Sequence, residues 1–583
     1  MASHDDRYVI IFNGEIYNFV ELREELLKRG ARFSTHSDTE VILEAYRAWG
    51  TDAPARLLGM FAFALYDKEQ SSMFLARDRL GEKPLVYVDH FEGGVTFASE
   101  LKALIAAGVT SVDIDLEVLE LYLSLNYVPG TASLLKGVQR LAPGCWRLYA
   151  RGKPVTAGRY WTPPDPTAAP LRYRTVEEAL PELRQRLDRS VAMALRSDVP
   201  VTLFLSGGVD SSLIAESAVR QGRIDTAYCL DFQEEGFSEW AKAKQVADRL
   251  GVELRRAVAQ VPDPDLFQTI ANHNDDPLAD SSSVAVWFLA QRTAQDFKVA
   301  ITGDGGDELF GGYLTYQATA LYTQIFAHVP HPILALLARF TRVLRPGDGK
   351  VTAAYKLQRF VRAFGLSPSL AHLTWNGTFL PSEAGRMIAS ESRPPDGAAL
   401  LAKLVDGYGV ANRPSLRDLQ RLDALEYLPN DILTKVDRIT MAHGLESRAP
   451  FLLPEVAEFG LGLPDRLKLT PSSPLKLILR ALAEQTFGHD ISNAKKQGFS
   501  IPIHRWLRGP MRDSLEVFLG PEALRRMPFL DHKAVGALRD AHLSGRGQYG
   551  YELWGLMVLS AWWDAIKNGR QQDASDIRLA SRA

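Results

Sequence analysis

The sequence predicts a multidomain protein of the α/β and α+β classes. With 583 residues, the chain exceeds the length at which single hydrophobic cores usually stop growing. Its N-terminal part combines short apolar strands and polar turns with two amphipathic helices, which is typical of an α+β sandwich. From residue 176, helices alternate with short buried strands as in a doubly wound parallel sheet, and beyond about residue 317 the pattern is mainly helical.

The N-terminal domain is predicted over residues 1–160. Residues 8–12 (YVIIF) form an apolar run typical of a buried strand, and residues 19–29 and 39–49 have the spacing of amphipathic helices. Further short strands are predicted at residues 60–66, 72–76, 85–88 and 95–98.

Residues 161–175 are the predicted linker, because they contain four prolines, which neither continue helices nor pair in the middle of sheets. The second domain is predicted over residues 176–568. Its buried strands are expected at residues 201–205, 226–232 and 299–302, with helices between them. The polar tail, residues 569–583, is predicted to be disordered.

The composition argues against several classes of function. The formal net charge is −3, so the field of the whole protein gives no reason to expect binding to nucleic acid or to an anionic membrane. The two cysteines, Cys145 and Cys229, form no CxxC pair, which disfavours a disulfide framework or a zinc site. The sequence shows neither a signal peptide nor an apolar run that could span a bilayer, so we expect a cytoplasmic enzyme.

The sharpest local signal is the loop at residues 205–212 (LSGGVDSS), which follows a buried strand and begins a helix. Its two glycines let the backbone approach a ligand closely, while its serines and the first N–H groups of the helix can donate hydrogen bonds to an anion. The loop lacks the lysine of a Walker motif. Asp210 suits a magnesium ion that bridges phosphates, whereas the alternative is an ordinary strand-to-helix turn.

A second loop, residues 302–313 (TGDGGDELFGGY), follows the strand that ends near residue 301. Its acids and glycines at the carboxyl end of a strand would make a poor core but a good edge for a metal and a ligand. Asp307 would complete a magnesium site with Asp210, although the segment alone leaves open a calcium-like loop or a surface turn. A third segment, residues 494–499 (AKKQGF), contains Lys496.

These segments resemble the synthetase domain of glutamine-dependent asparagine synthetases. The resemblance is carried by SGGVDSS, GDGGDELFGGY, YLPNDILTKVDR (427–438) and MAHGLESRAPFL (441–452), in that order along the chain. It implies that the side-chain carboxylate of aspartate attacks the α-phosphate of ATP, that pyrophosphate leaves as a β-aspartyl-adenylate forms, and that ammonia then displaces AMP. ATP and Mg²⁺ are implied, with aspartate and either glutamine or ammonia as further small-molecule partners.

The resemblance also implies roles for particular residues. Asp304 would assist adenylate formation or the attack of ammonia, and Lys496 would stabilise charge at the reacting centres. Asp210 and Asp307 would carry Mg²⁺. The residues expected to hold pyrophosphate and to line the nucleotide pocket are Leu205, Ser206, Gly207, Gly208, Asp210, Ser211, Leu230, Thr302 and Gly303.

Three positions depart from the family pattern near the acceptor side of this site. Ala494 stands where arginine is usual, Leu453 where aspartate is usual, and Ser238 where the family has Asp or Asn. The activation of a carboxylate by ATP remains the prediction. The acceptor is L-aspartate or, as the alternative, a different carboxylate such as a sugar acid, a peptidyl acid or a β-lactam precursor.

The N-terminal domain resembles the later part of a class II glutaminase. FNGEIYN at residues 12–18 and SDTE at residues 37–40 match segments of that family. The resemblance implies that Asn13 and Gly14 form an oxyanion hole and that Asp38 binds the α-amino group of glutamine. Glu15 is included in this remnant of the glutamine site.

The nucleophile of that family is an N-terminal cysteine, whereas residue 2 of this chain is alanine. The segment with the arginine that binds the glutamine carboxylate is also missing, and a buried strand begins almost at once. We therefore predict a partial glutaminase domain that has lost its beginning, in a chain that does not hydrolyse glutamine. A start assigned too late, a natural ammonia-using synthetase and the large part of a split enzyme are alternative explanations.

Two rival functions remain. An RNA-modifying member of the same pyrophosphatase-loop group would need a basic surface or sulfur-handling cysteines, and a non-catalytic assembly subunit would need the acids to be misplaced. The sequence leaves open the route of ammonia and the oligomeric state, for which a homodimer is one arrangement.

Overall fold

A computed structural model describes most of the chain. The described residues are 1–91, 93–234, 236–326, 329–330, 333–334, 353–394, 396–470, 473–493 and 501–580. Among them, no helix combines the length and the apolar character that crossing a bilayer requires. Lys496 and Ala494, singled out from the sequence, lie outside the described residues.

The strands are, in chain order, β1 (Tyr8–Ile16), β2 (Gly59–Asp67), β3 (Ser72–Arg77), β4 (Val86–Asp89), β5 (Val95–Ala98), β6 (Gln139–Arg140), β7 (Cys145–Ala150), β8 (Thr156–Arg159), β9 (Val201–Phe204), β10 (Thr226–Asp231), β11 (Glu253–Val258), β12 (Val299–Ile301) and β13 (Glu446–Arg448).

The helices up to the second loop region are α1 (Phe19–Lys28), α2 (Asp38–Trp49), α3 (Ala53–Arg56), α4 (Leu101–Ala106), α5 (Leu116–Leu125), α6 (Val176–Ala194), α7 (Val209–Arg220), α8 (Trp240–Leu250), α9 (Pro264–His273), α10 (Ser282–Thr293), α11 (Gly306–Phe310) and α12 (Leu314–Gln324).

The later helices are α13 (Ala353–Arg362), α14 (Pro368–Asn376), α15 (Pro381–Met387), α16 (Gly397–Gly407), α17 (Leu416–Leu425), α18 (Thr434–Met441), α19 (Pro454–Gly462), α20 (Asp465–Lys468), α21 (Leu477–Phe487), α22 (His489–Ser492), α23 (Ile503–Arg508), α24 (Arg512–Leu519), α25 (Pro521–Arg525), α26 (His532–Leu543) and α27 (Gly550–Ala580). A π-helical turn, Leu428–Leu433, leads into α18.

The N-terminal domain is built on an antiparallel sheet with the strand order β1-β2-β3-β7-β8. Apolar side chains on one face of this sheet form a core with α1 and α2. The other face packs against a smaller sheet with the order β5-β4-β6. This arrangement confirms the predicted α+β sandwich. Strand β2 is buried along nearly all its length because it is covered on both faces.

The second domain contains a parallel sheet with the order β11-β10-β9-β12-β13. The chain runs outward from β9 through β10 to β11, and then returns to β12 on the other side of β9. Helices α6, α7 and α8 cover one face, while α9 and α10 belong to a core on the other face. The doubly wound fold is confirmed, and the reversal between β9 and β12 creates the crevice where such sheets bind ligands.

The hydrophobic cores do not follow the division of the chain at residue 160. Residues of α4 and α5 share one continuous core with α9, α10 and α27, so part of the predicted first domain packs inside the second. The hydroxyl of Tyr122 on α5 donates a hydrogen bond to the carbonyl of Gly555 on α27, 2.8 Å away. The apolar sequence of α5 explains this position, because its side chains need covering on several sides.

Residues 161–175 lie along the second domain without forming a helix or a strand. The indole Nε1 of Trp161 donates to Glu458 at 2.8 Å, and the backbone N–H of Leu171 donates to the carbonyl of Gly462 at 2.9 Å. Helix α27 extends to Ala580, and the disorder of residues 569–583 stays a prediction.

A buried ion pair joins the two domains. The Nζ of Lys83 lies 2.8 Å from Oδ1 of Asp437, and both side chains are less than a tenth exposed. Next to it, the guanidinium of Arg438 donates to the carbonyl of Ser99 and contacts Asp275 at 3.1 Å. The loop between β3 and β4, which carries Lys83, and the residue after β5, Ser99, are thus fixed to α18 of the second domain.

Replacing Lys83 with methionine should destabilise the protein by about 3–5 kcal/mol, because Asp437 would remain buried without its cation. The double variant Lys83→Met with Asp437→Leu should recover much of this loss. Lys102→Met, at an exposed pair with Glu100, is the matched control and should cost less than about 1 kcal/mol. Thermal unfolding of the three variants measures this, and equal melting temperatures for the single variant and the control would contradict it.

Candidate active site

The loop after β9 has the geometry of an anion-binding turn. Gly207 has φ +70°, and a Cβ there would lie 2.5 Å from the backbone carbon of Lys242, so the turn and its close packing both require glycine. The hydroxyls of Ser206 and Ser211 lie 3.1 Å apart. Helix α7 begins at Val209, and the first N–H groups of a helix have no acceptor within it.

The loop after β12 packs directly against the first loop. A Cβ at Gly306 would lie 2.8 Å from the Cγ of Asp210, and a Cβ at Gly303 would lie 3.4 Å from the Cβ of the same aspartate. Glycines at these positions therefore let the two loops meet at Asp210. Asp307, in the first turn of α11, comes from the second loop.

Lys476 joins the two acids. Its Nζ lies 2.7 Å from Oδ1 of Asp307 and also forms an ion pair with Asp210. Only 5% of Lys476 is exposed, and its backbone is left-handed with φ +59°. Burial would lower the pKa of this ammonium, but the two carboxylates outweigh burial and raise it. Gly312 makes room for this contact, because a Cβ there would lie 2.2 Å from Cε of Lys476.

A cavity of about 360 Å³ opens over these loops. All the residues predicted to bind ATP, pyrophosphate or Mg²⁺ line it, together with Asp304. These residues are Leu205, Ser206, Gly207, Gly208, Asp210, Ser211, Leu230, Thr302, Gly303, Asp304 and Asp307. They come from three segments, the loops after β9 and β12 and the end of β10, and their convergence follows from the positions of β10 and β12 on either side of β9.

Asp304 lies where the cavity meets the N-terminal domain. Burial, together with the nearby charges of Asp307 and Asp210, raises its pKa, while a hydrogen bond with Thr302 and the ammonium of Lys435 partly offset that rise. A carboxylate with a raised pKa is a stronger base than an ordinary aspartate. Asp304 also lines a small cavity of about 20 Å³, whose other wall is formed by Met60, Glu82 and Lys83.

Several cavity residues were not predicted from the sequence. Lys476 is the clearest case, because it stands in a loop with no recognisable local pattern. Lys435 forms a buried ion pair with Asp280, with 2.6 Å between Nζ and Oδ2. Although burial alone would raise the pKa of Asp280, the lysine holds it below the ordinary value. Tyr427 also lines the cavity. It is the first residue of the YLPNDILTKVDR segment, and the resemblance of that segment to the family could have identified it.

Two of the three departures from the family pattern can be located. Leu453 is buried in a small apolar cluster with Tyr17 and Met60, between the two domains, and does not line the large cavity. The hydroxyl of Ser238 accepts a hydrogen bond from the backbone N–H of Trp240 at 3.3 Å, at the start of α8. The neighbouring Glu239 lines the cavity.

The donor set fits a magnesium ion. Asp210 and Asp307 converge on one cation, the ammonium of Lys476, which shows that both carboxylates can share a single positive charge. Among the described residues, no group of three or more His, Cys, Asp or Glu side chains forms a complete metal site. Mg²⁺ is commonly held by one or two carboxylates together with substrate phosphates and water, and this chain offers two carboxylates.

The predicted glutamine-site residues lie at the end of β1. Gly14 has φ +143°, and a Cβ there would lie 2.0 Å from the carbonyl oxygen of Met60, so glycine is required by the close pairing with β2. Asn13 precedes it in the same strand. Oδ2 of Asp38 accepts a hydrogen bond from the backbone N–H of Ile16 at 3.0 Å, which fixes the carboxylate beside the strand end.

Glu15 links this site to the parallel sheet. Its Oε2 lies 3.2 Å from Nη2 of Arg448 on β13. Burial raises the pKa of Glu15 to about 7, because it outweighs the attraction of Arg448, and the charge of Asp38 adds to the rise. Glu15 therefore changes its charge near neutral pH.

The two cysteines of the sequence lie away from this strand end, on β7 and β10. Burial raises the pKa of both thiols, so their thiolate forms are disfavoured at neutral pH. Cys229 is almost completely covered, with 2% of its surface exposed. Neither Cys145 nor Cys229 has the environment of an activated nucleophile.

Comparison with known proteins gives matches over most of the chain. The family model described as "Asparagine synthase" matches residues 182–564, and that described as "Glutamine amidotransferase domain" matches residues 1–161. A Mycobacterium tuberculosis protein named as a glutamine-hydrolysing asparagine synthetase is 35% identical over 96% of this chain and 84% of its own length. Asparagine synthetase 1 of Bacillus subtilis is 32% identical, with coverages of 96% and 86%. An amidase of Penicillium rubens is 26% identical, with coverages of 91% and 83%.

These matches bear on the predicted loss within the N-terminal domain. The amidotransferase model matches from residue 1 to residue 161, so the prediction of a domain without its beginning is not confirmed. The prediction that the chain does not hydrolyse glutamine is likewise unsupported, since a glutamine amidotransferase domain is matched.

Glu15→Gln should change how stability depends on pH. The pKa of Glu15 in the folded protein, about 7, is higher than its ordinary value of 4.5, so folding favours the protonated form. The contribution of protonated Glu15 to the stability of the folded protein is complete below pH 4.5 and is lost as pH rises through 7. The native protein loses this contribution between pH 5 and pH 8, whereas the variant does not. The melting temperature of the variant minus that of the native protein should therefore increase by about 2 °C or more over this range.

Differential scanning fluorimetry at pH 5, 6, 7 and 8 would measure this difference. Glu24→Gln, at an exposed glutamate of α1, is the matched control and should give the same difference at every pH. A Glu15→Gln difference that stays constant across the range would contradict the assignment.

Proposed function

The chain belongs to the asparagine synthase family, and from this premise we propose that it converts L-aspartate to L-asparagine through a β-aspartyl-adenylate. Members of this family are ATP-dependent ligases that form an amide bond. The observation that carries the proposal for this chain is the convergence of Asp210 and Asp307 on Lys476, beside the glycine turn at the start of α7.

The first step needs a site for a highly charged leaving group. A carboxylate oxygen of the acceptor attacks the α-phosphorus of ATP, the bond to the β-phosphate oxygen breaks, and pyrophosphate leaves. Ser206, Ser211 and the first N–H groups of α7 would donate hydrogen bonds to pyrophosphate, and the helix dipole favours the same charge. Lys476 would add a fixed positive charge. Mg²⁺ held by Asp210 and Asp307 would neutralise part of the charge on the phosphates.

The nucleotide pocket beside these groups is apolar. Leu205 and Leu230 are almost fully buried in the cavity wall, with 1% and 3% of their surfaces exposed, and suit contact with a flat purine ring. The backbone of Thr302 and Gly303 lies on the opposite loop. This combination of an apolar wall and an anion-binding turn supports a nucleoside triphosphate over a bare phosphate.

The second step needs a base. The nitrogen of ammonia attacks the carbonyl carbon of the adenylate, AMP leaves, and one proton is released. Asp304 is suited to accept that proton, because burial and neighbouring charges raise its pKa and it lines both cavities. Lys496 remains the predicted residue that stabilises charge at the acyl centre, and the same assay used below for Lys476 tests it.

The nitrogen comes from glutamine or from free ammonia. The matched amidotransferase domain supports glutamine as a donor, and Asn13, Gly14, Glu15 and Asp38 are the proposed contacts. The small cavity between Met60, Glu82 and Asp304 lies between the N-terminal domain and the proposed acyl site. A cytoplasmic location and a homodimer remain predictions.

A related ligase that amidates a different carboxylate is the second candidate. The departure at Ser238 favours it, because this residue precedes the cavity-lining Glu239, whereas Leu453 lies outside the cavity. The 26% identical amidase of Penicillium rubens also shows that proteins similar to this chain carry a name other than asparagine synthetase.

The decisive experiment incubates the purified chain with Mg²⁺, ATP and L-aspartate, and supplies either ammonium chloride or glutamine. We expect AMP, pyrophosphate and asparagine in equal amounts with ammonium. Glutamate release in the parallel glutamine reaction measures glutaminase activity directly. Formation of ADP and phosphate, or nucleotide cleavage that is independent of any carboxylate, would contradict the proposed reaction.

Lys476→Met should reduce aspartate-dependent ATP–pyrophosphate exchange about 100-fold or more, because the leaving group loses its fixed cation. Gly312→Ala should cause a comparable loss, since its Cβ would lie 1.9 Å from Oδ1 of Asp307 and force this acid away. Gly407→Ala, at a helical glycine with no atom within 4 Å of the added Cβ, is the matched control and should keep native exchange. If Lys476→Met keeps the native rate of exchange, the proposed role of Lys476 in stabilising pyrophosphate is wrong.

A further inference from the structure

A second cavity, of about 380 Å³, adjoins the nucleotide cavity. The two cavities share Asp280 and Tyr427 as lining residues, so they meet at these two side chains. Its walls include α12, α13, the end of α14 and the residues that follow α14. This space is in the range of sites that hold drug-sized ligands, and free aspartate would fill only a small part of it.

Near the junction, this cavity contains a buried acid, Asp431, whose carboxylate forms a hydrogen bond with Tyr427 and has capacity for another. Asp431 lies on the π-helical turn Leu428–Leu433, is 4% exposed, and has no hydrogen-bond partner for Oδ1 among the described residues. Burial, together with the charge of Asp280, raises its pKa well above the ordinary value. Buried polar groups in native proteins are nearly always paired, and π-helical turns occur often at functional sites, so a ligand group is the expected partner.

Two other lining residues also carry buried polar atoms without a partner in the described structure. They are Nε1 of Trp375 and Nδ2 of Asn376, both in the segment at the end of α14. The aromatic side chains of Phe360, Trp375 and Tyr551 form the apolar part of the lining. The middle of the cavity therefore combines aromatic surface with unsatisfied hydrogen-bonding groups, as ligand sites commonly do.

The outer wall carries positive charge. Lys356 and Arg359 line the cavity from α13, and the charge of Arg359 also acts on the buried Glu552, whose pKa it lowers against the effect of burial. Arg359 donates to the carbonyls of Gly377 and Thr378, so its guanidinium is fixed in place. Lys356 is exposed. Two cations in the lining of this open cavity are complementary to an anionic group on a ligand.

We propose that the acceptor site extends through this second cavity and that the enzyme also amidates acids longer than aspartate, whose second anionic group binds at Lys356 and Arg359. The inference rests on the proposed ligase reaction and names the substrate class of the same site. The chemistry is unchanged: the reacting carboxylate takes AMP from ATP with release of pyrophosphate, and ammonia then replaces AMP with loss of one proton.

The geometry explains why length matters. The reacting carboxylate has to reach the α-phosphate in the first cavity, past the wall formed by Asp280 and Tyr427, while the cations of α13 lie in the second. A short acid such as aspartate occupies only the first region and makes no use of the cations. A longer acid spans the junction, passes Asp431 and the aromatic lining, and pairs with Lys356.

The test uses the full chain with Mg²⁺, ATP and ammonium chloride, and a series of acceptors that lengthen by one methylene: L-aspartate, L-glutamate, L-α-aminoadipate and L-α-aminopimelate. Pyrophosphate release gives kcat and KM, and mass spectrometry identifies each amide. We expect turnover of at least one acid longer than aspartate. Lys356→Glu should raise KM for that acid about tenfold or more with little change in kcat, and leave the KM values for ATP and aspartate unchanged.

Lys403→Glu, at an exposed lysine of α16 that lines neither cavity, is the matched control and should change none of these constants. If aspartate is amidated and every longer acid is inert, the extended acceptor site is wrong while the ligase reaction stands. If longer acids react but Lys356→Glu leaves their KM unchanged, the binding of the second anion at α13 is wrong. If none of the four acids supports pyrophosphate release, the proposed ligase reaction on such acids fails as well.

Discussion

The active site depends on one electrostatic constraint, the sharing of a single ammonium between Asp210 and Asp307. Two carboxylates brought together at the edge of a buried sheet repel each other, and the repulsion grows as water is excluded. Lys476 offsets it and lets both loops keep their positions before a substrate arrives. A site arranged in this way would need little rearrangement to bind the phosphates of the proposed substrate, and such preorganisation favours electrostatic catalysis.

Close backbone packing also holds the two loops that carry Asp210 and Asp307 together. Gly303, Gly306 and Gly312 stand where a Cβ would meet Asp210, Asp307 or Lys476. The loops are therefore held by close contact as well as by charge. The strand order contributes the rest, because the reversal of winding between β9 and β12 leaves their carboxyl ends free of a crossover helix and brings the loops side by side.

The fold and the loops could be predicted because their signals are contiguous in sequence. One short stretch of sequence that ends in LSGGVDSS carries the signals for a strand, a turn and the start of a helix. The stretch that ends in the loop at residues 302–313 carries the same three signals. Lys476 could not be found in this way, since it contacts Asp210 across 266 residues and stands in a segment without a pattern. The pair of Lys435 and Asp280, 155 residues apart, has the same property. Long-range partners follow from the packing of helices, which a single sequence does not encode locally.

The core that α4 and α5 share with α27 has a consequence for how such enzymes can be recombined. The family boundary near residue 161 marks where two sequence modules meet, yet a chimera joined there would combine the α5 of one parent with the α27 of another. The facing side chains, including Tyr122 beneath Gly555, would then have to match across parents that evolved separately. Exchange of the glutaminase part alone would therefore succeed only if α4 and α5 stay with the helices that cover them.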